Sequence, residues 1–459
     1  MHLHKKNTAF IVIAVCFASC HIMKPYTSPG IKETNLYRDI NTTDTNTIAT
    51  LHWKDIFTDT LLQQLIEKGI QNNLDLKAAW SRMRQAEASY KQSRLILYPA
   101  VNGTATATIA GASNSINTNK SVTPQQYTIE ATANWEADIW GKLRSTRDAN
   151  LALFLQANAN ARAVQTALVA SIASNYYTLL ALDQQLSITE QTVISWQATV
   201  EVMKALKIAD VVTSAAVVQS EASRYAAEVT IPDLKQSIRE TENELSLLLG
   251  IPSTAIERDS INNQVPIMLL KTGIPAQLLA NRPDVQAAEY NLRYYFKLTN
   301  VARAYFYPSV TIGATGGLTA YQSITGPASW ISNLTGGLLQ PIFNQGQNIA
   351  RLKIAQEQQQ QAALNFQSTV LTAGQEVSNA LYTYQTALEK GNSRRLQLLN
   401  LNKSVEYTQE LVRYGFANYT EVLNAQQSLL LAQLQQVNDK LQQLNAIVFL
   451  YRALGGGWR

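Results

Sequence analysis

The chain has 459 residues, 15% of them charged, and a formal net charge of +5, where soluble domains usually carry about 25% charged residues. So small a charge over such a length argues against a nucleic-acid partner. Both cysteines (Cys16, Cys20) and all four histidines (His2, His4, His21, His52) lie near the N-terminus, which leaves the body of the chain no material for a Ser/His/Asp triad, a Cys/His pair or a histidine metal site; no catalytic, cofactor-binding or metal-ligating residue is expected.

At the N-terminus, His2, His4, Lys5 and Lys6 precede an apolar run from Ala9 to Ala18 that ends at Ser19 and Cys20. The run is short of the roughly 20 residues a membrane-crossing helix needs, so residues 1–19 read as a secretory signal. Phe17-Ala18-Ser19-Cys20 resembles a bacterial lipobox. That resemblance implies cleavage before Cys20, a diacylglycerol on its thiol and usually an acylated amine, enough chains for a stable anchor. Loss of Lys5 and Lys6 takes the net charge from +5 to +3, and His21 rather than an aspartate after the cysteine favours the outer membrane. Residues 20–54 read as a lipid-anchored extended segment. Nothing after Cys20 approaches 18 uninterrupted apolar residues, so any membrane crossing falls to β-strands.

An internal repeat follows, with residues 74–101 matching 283–310 at a spacing of 209, as from Asp75 to Asp284. Ala78, Ala79, Arg84, Arg94, Tyr98, Pro99 and Val101 pair with Ala287, Ala288, Arg293, Arg303, Tyr307, Pro308 and Val310. In both copies a helical pattern ends at Tyr-Pro and an alternating pattern begins. Between Tyr127 and Trp140 the odd positions are Tyr127, Ile129, Ala131, Ala133, Trp135, Ala137 and Ile139, and the even ones include Thr128, Glu130, Thr132, Asn134, Glu136 and Asp138. This period of two predicts a strand with one face for lipid and one for water. Val101, Ala105, Ala107 and Ile109 repeat the pattern, and the Ser/Asn/Thr/Gly-rich stretch Gly111 to Pro124 is a surface connection. In the second copy Val310, Ile312, Ala314 and Leu318 share one face, and Trp330, Leu334, Leu338 and Ile342 another. Tyr98, Tyr127, Trp140, Tyr307 and Trp330 are placed for interfacial girdles.

From Lys142 through Ile231 there is neither glycine nor proline, which predicts a helix from Gly141 to about Asp210, roughly 100 Å long. Later, Leu430, Leu434, Val437, Leu441, Leu444 and Val448 step by four and three, the pattern of a coiled-coil seam. The helical pattern weakens at Val211-Val212-Thr213-Ser214, where Thr213 or Ser214 is expected to cap the returning helix, and again at Tyr414-Gly415-Phe416-Ala417-Asn418. The expected organisation is therefore a first repeat over 55–250 (hairpin about 99–140, helical tip about 208–214), a connector over 251–273, and a second repeat over 274–459 (hairpin about 308–343, tip about 413–420). Four strands cannot close a barrel, and an open edge cannot face lipid. Three copies under cyclic symmetry give twelve strands. The fold class expected is membrane α+β: a trimeric 12-stranded β-barrel continued by a long α-helical barrel, internally duplicated.

Several segments resemble the TolC-type outer-membrane efflux factors, NodT/OprM lipoprotein branch: IPAQLLANRPDVQAAE from Ile274, ARAYFYPSVTIGATGG from Ala302, WEADIWGKLR from Trp135, QPIFNQGQ from Gln340 and YGFANYTEVLNAQQSLL from Tyr414. The resemblance spans the mature chain. It implies a homotrimer in the bacterial outer membrane that extends into the periplasm, working with a periplasmic adaptor and an inner-membrane pump, commonly of the RND class, to export drugs or other small compounds. It also implies a gate at the hairpin tip, where Glu421 and Asn424 match the family's carboxylate positions. Asn424 departs from the acidic pattern, and Asp210 stands where a glycine is commoner. The alternatives are a periplasmic adaptor lipoprotein, a type I protein-secretion duct and a lipid-anchored enzyme; the duplication counts against the first, the lipoprotein start against the second, and the missing histidine and cysteine against the third.

Overall fold

The computed structural model describes residues 23–30, 36–37, 47–109, 125–265, 277–321 and 323–458; the signal segment, Cys20 and the whole 111–124 connection lie outside the described residues. Two compact units share the chain. One holds residues 82–157 and 287–367 with the first 29, and the other holds 30–81, 158–286 and 368–459. No helix of the described residues is long and apolar enough to cross a membrane.

The first unit is built on one antiparallel sheet, in the order β1-β2-β3-β4: β1 (Ala100–Ile109), β2 (Gln125–Ala137), β3 (Ser309–Tyr321) and β4 (Ala328–Leu339). Register sorts its side chains by face, because residues paired directly across antiparallel strands point the same way. One face carries the rows Ala105-Ile129-Leu318-Trp330 and Val101-Ala133-Ala314-Leu334. The other carries Asn102-Thr132-Thr315-Asn333 and Thr106-Thr128-Thr319-Ser329, with Thr128 and Thr319 hydroxyls 3.2 Å apart. The apolar rows are bare: Leu334 is 77% exposed and Val101 69%. Strands of 10 to 13 residues meet the 9–11 a tilted membrane strand requires.

Two expected strand ends move inward. β2 stops at Ala137 rather than Trp140, because Asp138 turns to cap the next helix and Gly141 takes φ 73°. Trp140 lies below the sheet, its indole N–H donating to the Pro308 carbonyl at 2.6 Å and its ring 5.1 Å from Tyr307. β4 ends at Leu339, before Pro341, which has no N–H for a ladder; Ile342 therefore lies past the strand.

Before the sheet come α1 (Trp53–Ile56), α2 (Thr60–Asn72) and α3 (Leu74–Leu95), and between the hairpins α4 (Lys142–Ile208), α5 (Ser214–Glu228), α6 (Thr230–Leu248), α7 (Gln277–Asn281) and α8 (Pro283–Ala304); α9 (Gln347–Arg413) and α10 (Tyr419–Ala453) follow. The duplication is legible in these bounds. α3 and α8 start 209 residues apart, at Leu74 and Pro283, whereas α4 and α9 start 205 apart, at Lys142 and Gln347. The stretch between these starts is four residues longer in the first copy. α10 is unbroken, whereas its counterpart in the first copy, expected as one returning helix, is divided into α5 and α6. Pro232 is the cause: it has no N–H to give the Glu228 carbonyl four residues back, and the helix interrupts at Val229.

In the second unit the copies end alike. Gly250 (φ 64°) and Gly455 (φ 93°) close α6 and α10, with Ile251 N–H bonded to Ser246 O and Gly456 N–H to Tyr451 O. The last carbonyls are then capped by side chains from equivalent places, Asn73 Nδ2 on Leu248 O at 2.9 Å and Arg282 Nη1 on Ala453 O at 2.7 Å. Beyond α6 the chain is held to α4 and back to α6 by Arg258, which bonds Asp183 of α4 at 2.6 Å and Glu242 of α6 at 2.5 Å.

Candidate functional site

The sequence points to the two helical turns at which α4 and α9 reverse. Both turns are the same motif. After α4, Val211 N–H bonds Leu206 O at 2.9 Å and Asp210 N–H bonds Lys207 O at 3.1 Å; after α9, Phe416 N–H bonds Leu411 O at 2.9 Å and Gly415 N–H bonds Val412 O at 3.1 Å. This pair of bonds is the Schellman closure, which needs a left-handed residue at its centre. Gly415 meets that need at φ 75°, while Asp210 meets it at φ 57° as an L residue, a conformation aspartate tolerates better than most. The returning helices start differently. Asn418 Oδ1 accepts from Thr420 N–H at 3.2 Å, whereas Thr213 has N-cap backbone angles but its hydroxyl caps no N–H.

The turns rest on an apolar cluster. Met203 of α4, Val412 of α9 and Val422 of α10 are buried together, with Leu206, Val217, Ala417 and Tyr419 packed around them. On α10 the helical period then decides which side chains remain outside: Val422, Leu423, Ala425 and Gln426 are buried, and Glu421 and Asn424 are exposed on one face. Neither carboxylate, that of Glu421 or of Asp210, has a hydrogen-bond or ion-pair partner among the described residues, and Asp210 is exposed as well. All three sequence-derived tip residues therefore sit at the surface of the tip turns, with no side-chain bond of their own to hold them there.

Other tip residues escaped the sequence reading. Lys204 of α4 bridges Glu201 and, across the turn, Glu221 of α5, both at 3.2 Å. Lys204 lies four residues before the end of α4 and Glu221 seven after the start of α5, and this straddling of the turn is the one linear signal that pairs them. Gln426 Nε2 donates to Thr199 Oγ1 at 2.9 Å inside the bundle, and Tyr419 O–H donates to Gln219 Oε1 at 3.3 Å. These two bonds join the first hairpin to the second, and nothing local in the sequence marks them.

The outer membrane efflux protein family model matches residues 65–251 and 274–456. Among relatives, the toluene efflux pump outer membrane protein TtgC of Pseudomonas putida is 30% identical over 415 residues, covering 88% of this chain and 85% of that one. The cation efflux system protein CusC of Escherichia coli O6:H1 is 26% identical over 457 residues, covering 97% and 98%. The solved structure of the outer-membrane channel OprN superposes with a TM-score of 0.86 at 25% identity, covering 96% of this chain and all of that one.

Proposed function

This chain belongs to the outer membrane efflux protein family and is an outer-membrane channel of an efflux system, and from that we infer that it works as a homotrimer whose twelve strands close one barrel. The observation that carries this reading is the sheet itself. β1 and β4 are its two edges, they run in opposite directions, and the face between them is apolar from edge to edge. An unpaired edge in hydrocarbon costs several kcal/mol for each bare backbone group. Pairing β1 of one copy with β4 of the next keeps every neighbour antiparallel, as in bacterial barrels of even strand number. Cys20 carries the lipid that tethers each copy.

Efflux through such a conduit is passive and needs no catalysis here. A periplasmic adaptor and an inner-membrane pump, of the RND class, supply cargo and energy, and the cargo is drugs or other small compounds. The relatives' names range from toluene to cations, which fits a conduit that passes what its pump delivers. Three copies of Glu421 place three carboxylates at the tip constriction and favour cations; Asp210 adds to that charge, and Asn424 contributes an amide in place of a second acid ring. The test is the mass of the mature protein in mild detergent, corrected for bound detergent, followed by conductance. Three chains per particle and a cation preference that falls in Glu421→Gln support the reading. A stable monomer overturns the barrel, and an unchanged reversal potential in Glu421→Gln removes Glu421 from the gate.

A further inference from the structure

Beneath the sheet, in the same unit, a cavity of about 310 Å³ opens beside Trp140. Three cations line it, Arg144, Arg147 and Lys297, with one carboxylate, Asp148. Asp148 is shared, accepting from Arg147 at 2.7 Å and from Lys297 at 3.0 Å. Arg144 bonds Asp138 at 3.0 Å, but both oxygens of Asp138 are already engaged by the first N–H groups of α4, from Leu143 at 2.8 Å and Arg144 at 2.9 Å. The cluster therefore holds three cations against two carboxylates, and it lacks one negative charge.

The N-terminal segment adds an independent observation about where this cavity lies. Met23 lines it, with Ser145 Oγ donating to the Met23 sulfur at 3.3 Å, and Asn300 Nδ2 donates to the Lys24 carbonyl at 3.0 Å. Tyr26 packs edge-on against Phe296 at 5.4 Å. Cys20 is three residues before Met23, a reach of about 10 Å at full extension. An acylated Cys20 puts the bilayer surface within that reach, and Trp140, with its ring beside Tyr307, is an aromatic of the kind that settles at headgroup level.

We propose that this cavity binds the phosphate of a glycerophospholipid in the periplasm-facing leaflet of the outer membrane, a site that rests on the barrel reading above. One phosphodiester brings the cluster to neutrality. Arg144 and Lys297 donate to its oxygens in charge-assisted hydrogen bonds, and Trp140 packs against the glycerol end. The lipid on Cys20 has no phosphate and leaves the charge unmet, so the tether and the bound phospholipid are neighbours with different chemistry.

The experiment is native mass spectrometry of the mature trimer, stripped of lipid in detergent and titrated with dioleoyl phosphatidylglycerol, dioleoyl phosphatidylethanolamine or phosphate-free dioleoylglycerol. Both phospholipids should be retained about tenfold more tightly than dioleoylglycerol, and Arg144→Gln or Lys297→Gln should each remove most of that margin, the loss of one charge-assisted bond. Equal retention of dioleoylglycerol, or glutamine variants that bind like the parent, overturns the site. So does phospholipid binding that appears only in Cys20→Ala, because the tether would then fill the cavity itself. Planar-bilayer conductance on the same samples separates the two readings. Conducting trimers without phosphate preference defeat this site alone, and failure to obtain a conducting trimer defeats the barrel and this site with it.

Discussion

Asp210 and Gly415 occupy the same position of the same turn, yet one is an L residue at φ 57° and the other a glycine at φ 75°. The left-handed conformation costs an ordinary L residue about 1–2 kcal/mol, and glycine forfeits about 0.4–1 kcal/mol of that in the unfolded chain. Asp210→Gly should therefore stabilise the first tip by about 0.5 kcal/mol, seen as roughly twofold slower amide exchange over residues 206–214. A carboxylate kept at a place where glycine is the more stable choice is the residue-scale argument for a charge with a use at the tip. The same substitution removes that charge, so slower exchange together with a lowered cation preference would tie both effects to one side chain. That Asp210 stood out was legible in the sequence. That Thr213 fails to cap was not, because a hydroxyl's bond depends on a rotamer that composition does not reveal.

At the scale of elements, the ends of α6 and α10 show how duplication works in energy terms. A Cβ on Gly455 would lie 2.4 Å from the Asn281 carbonyl oxygen, and one on Gly250 would lie 2.7 Å from that of Asn72. Backbone cannot yield as a side chain does, so Gly455→Ala and Gly250→Ala should each cost more than about 1 kcal/mol in thermal or denaturant unfolding. The caps on the neighbouring carbonyls diverged, to an amide in Asn73 and a guanidinium in Arg282. Arg282 also bonds Asp284 at 2.5 and 3.0 Å and Glu376 at 2.7 Å. Burial by itself would raise the Asp284 carboxyl, but the hydrogen bonds and charge of Arg282 outweigh it and hold the carboxyl below its ordinary value. A carboxyl whose folded value is depressed contributes stability that is complete above its unfolded value and is lost as pH falls through the folded one. Arg282→Gln should thus cost about 2–3 kcal/mol near neutrality, and the gap between variant and parent should narrow in melts carried below about pH 4. A gap independent of pH would assign the loss to packing.

For the whole molecule, what matters is which face of the sheet meets lipid. Leu334 lies in the apolar row and Asn333, beside it, in the polar one. A lysine at the lipid-facing midplane costs about 2–4 kcal/mol, so Leu334→Lys should depress insertion into vesicles, and Asn333→Lys should insert like the parent. The reverse result would turn the barrel inside out. Ile331 shares a row with Thr104, Glu130 and Gly317 on the polar face; it and Leu339 depart from clean alternation in a hairpin whose strands also carry Gly313, Gly316, Gly317, Gly336 and Gly337.

Period and spacing are local properties, which is why the sequence by itself determined the two repeats, the amphipathic strands, the helical runs and the turns that end them. The gate candidates Asp210, Glu421 and Asn424 came instead from the resemblance of the tip segments to the efflux-factor family, and local spacing added only that Glu421 and Asn424 lie one helical turn apart on one face. Tertiary structure alone decided what those elements touch. Lys204 with Glu221, Gln426 with Thr199 and Arg282 with the Ala453 carbonyl are pairs brought together by helix packing, across separations over which no periodicity carries information. The break at Val229 belongs with them in part: Pro232 was visible, but a proline acts on the carbonyl four residues earlier, and its effect surfaces where the sequence shows only valine. The cationic cavity under the sheet is the fullest case, because its charges come from α4 and α8 and their imbalance exists only once the fold has paired them.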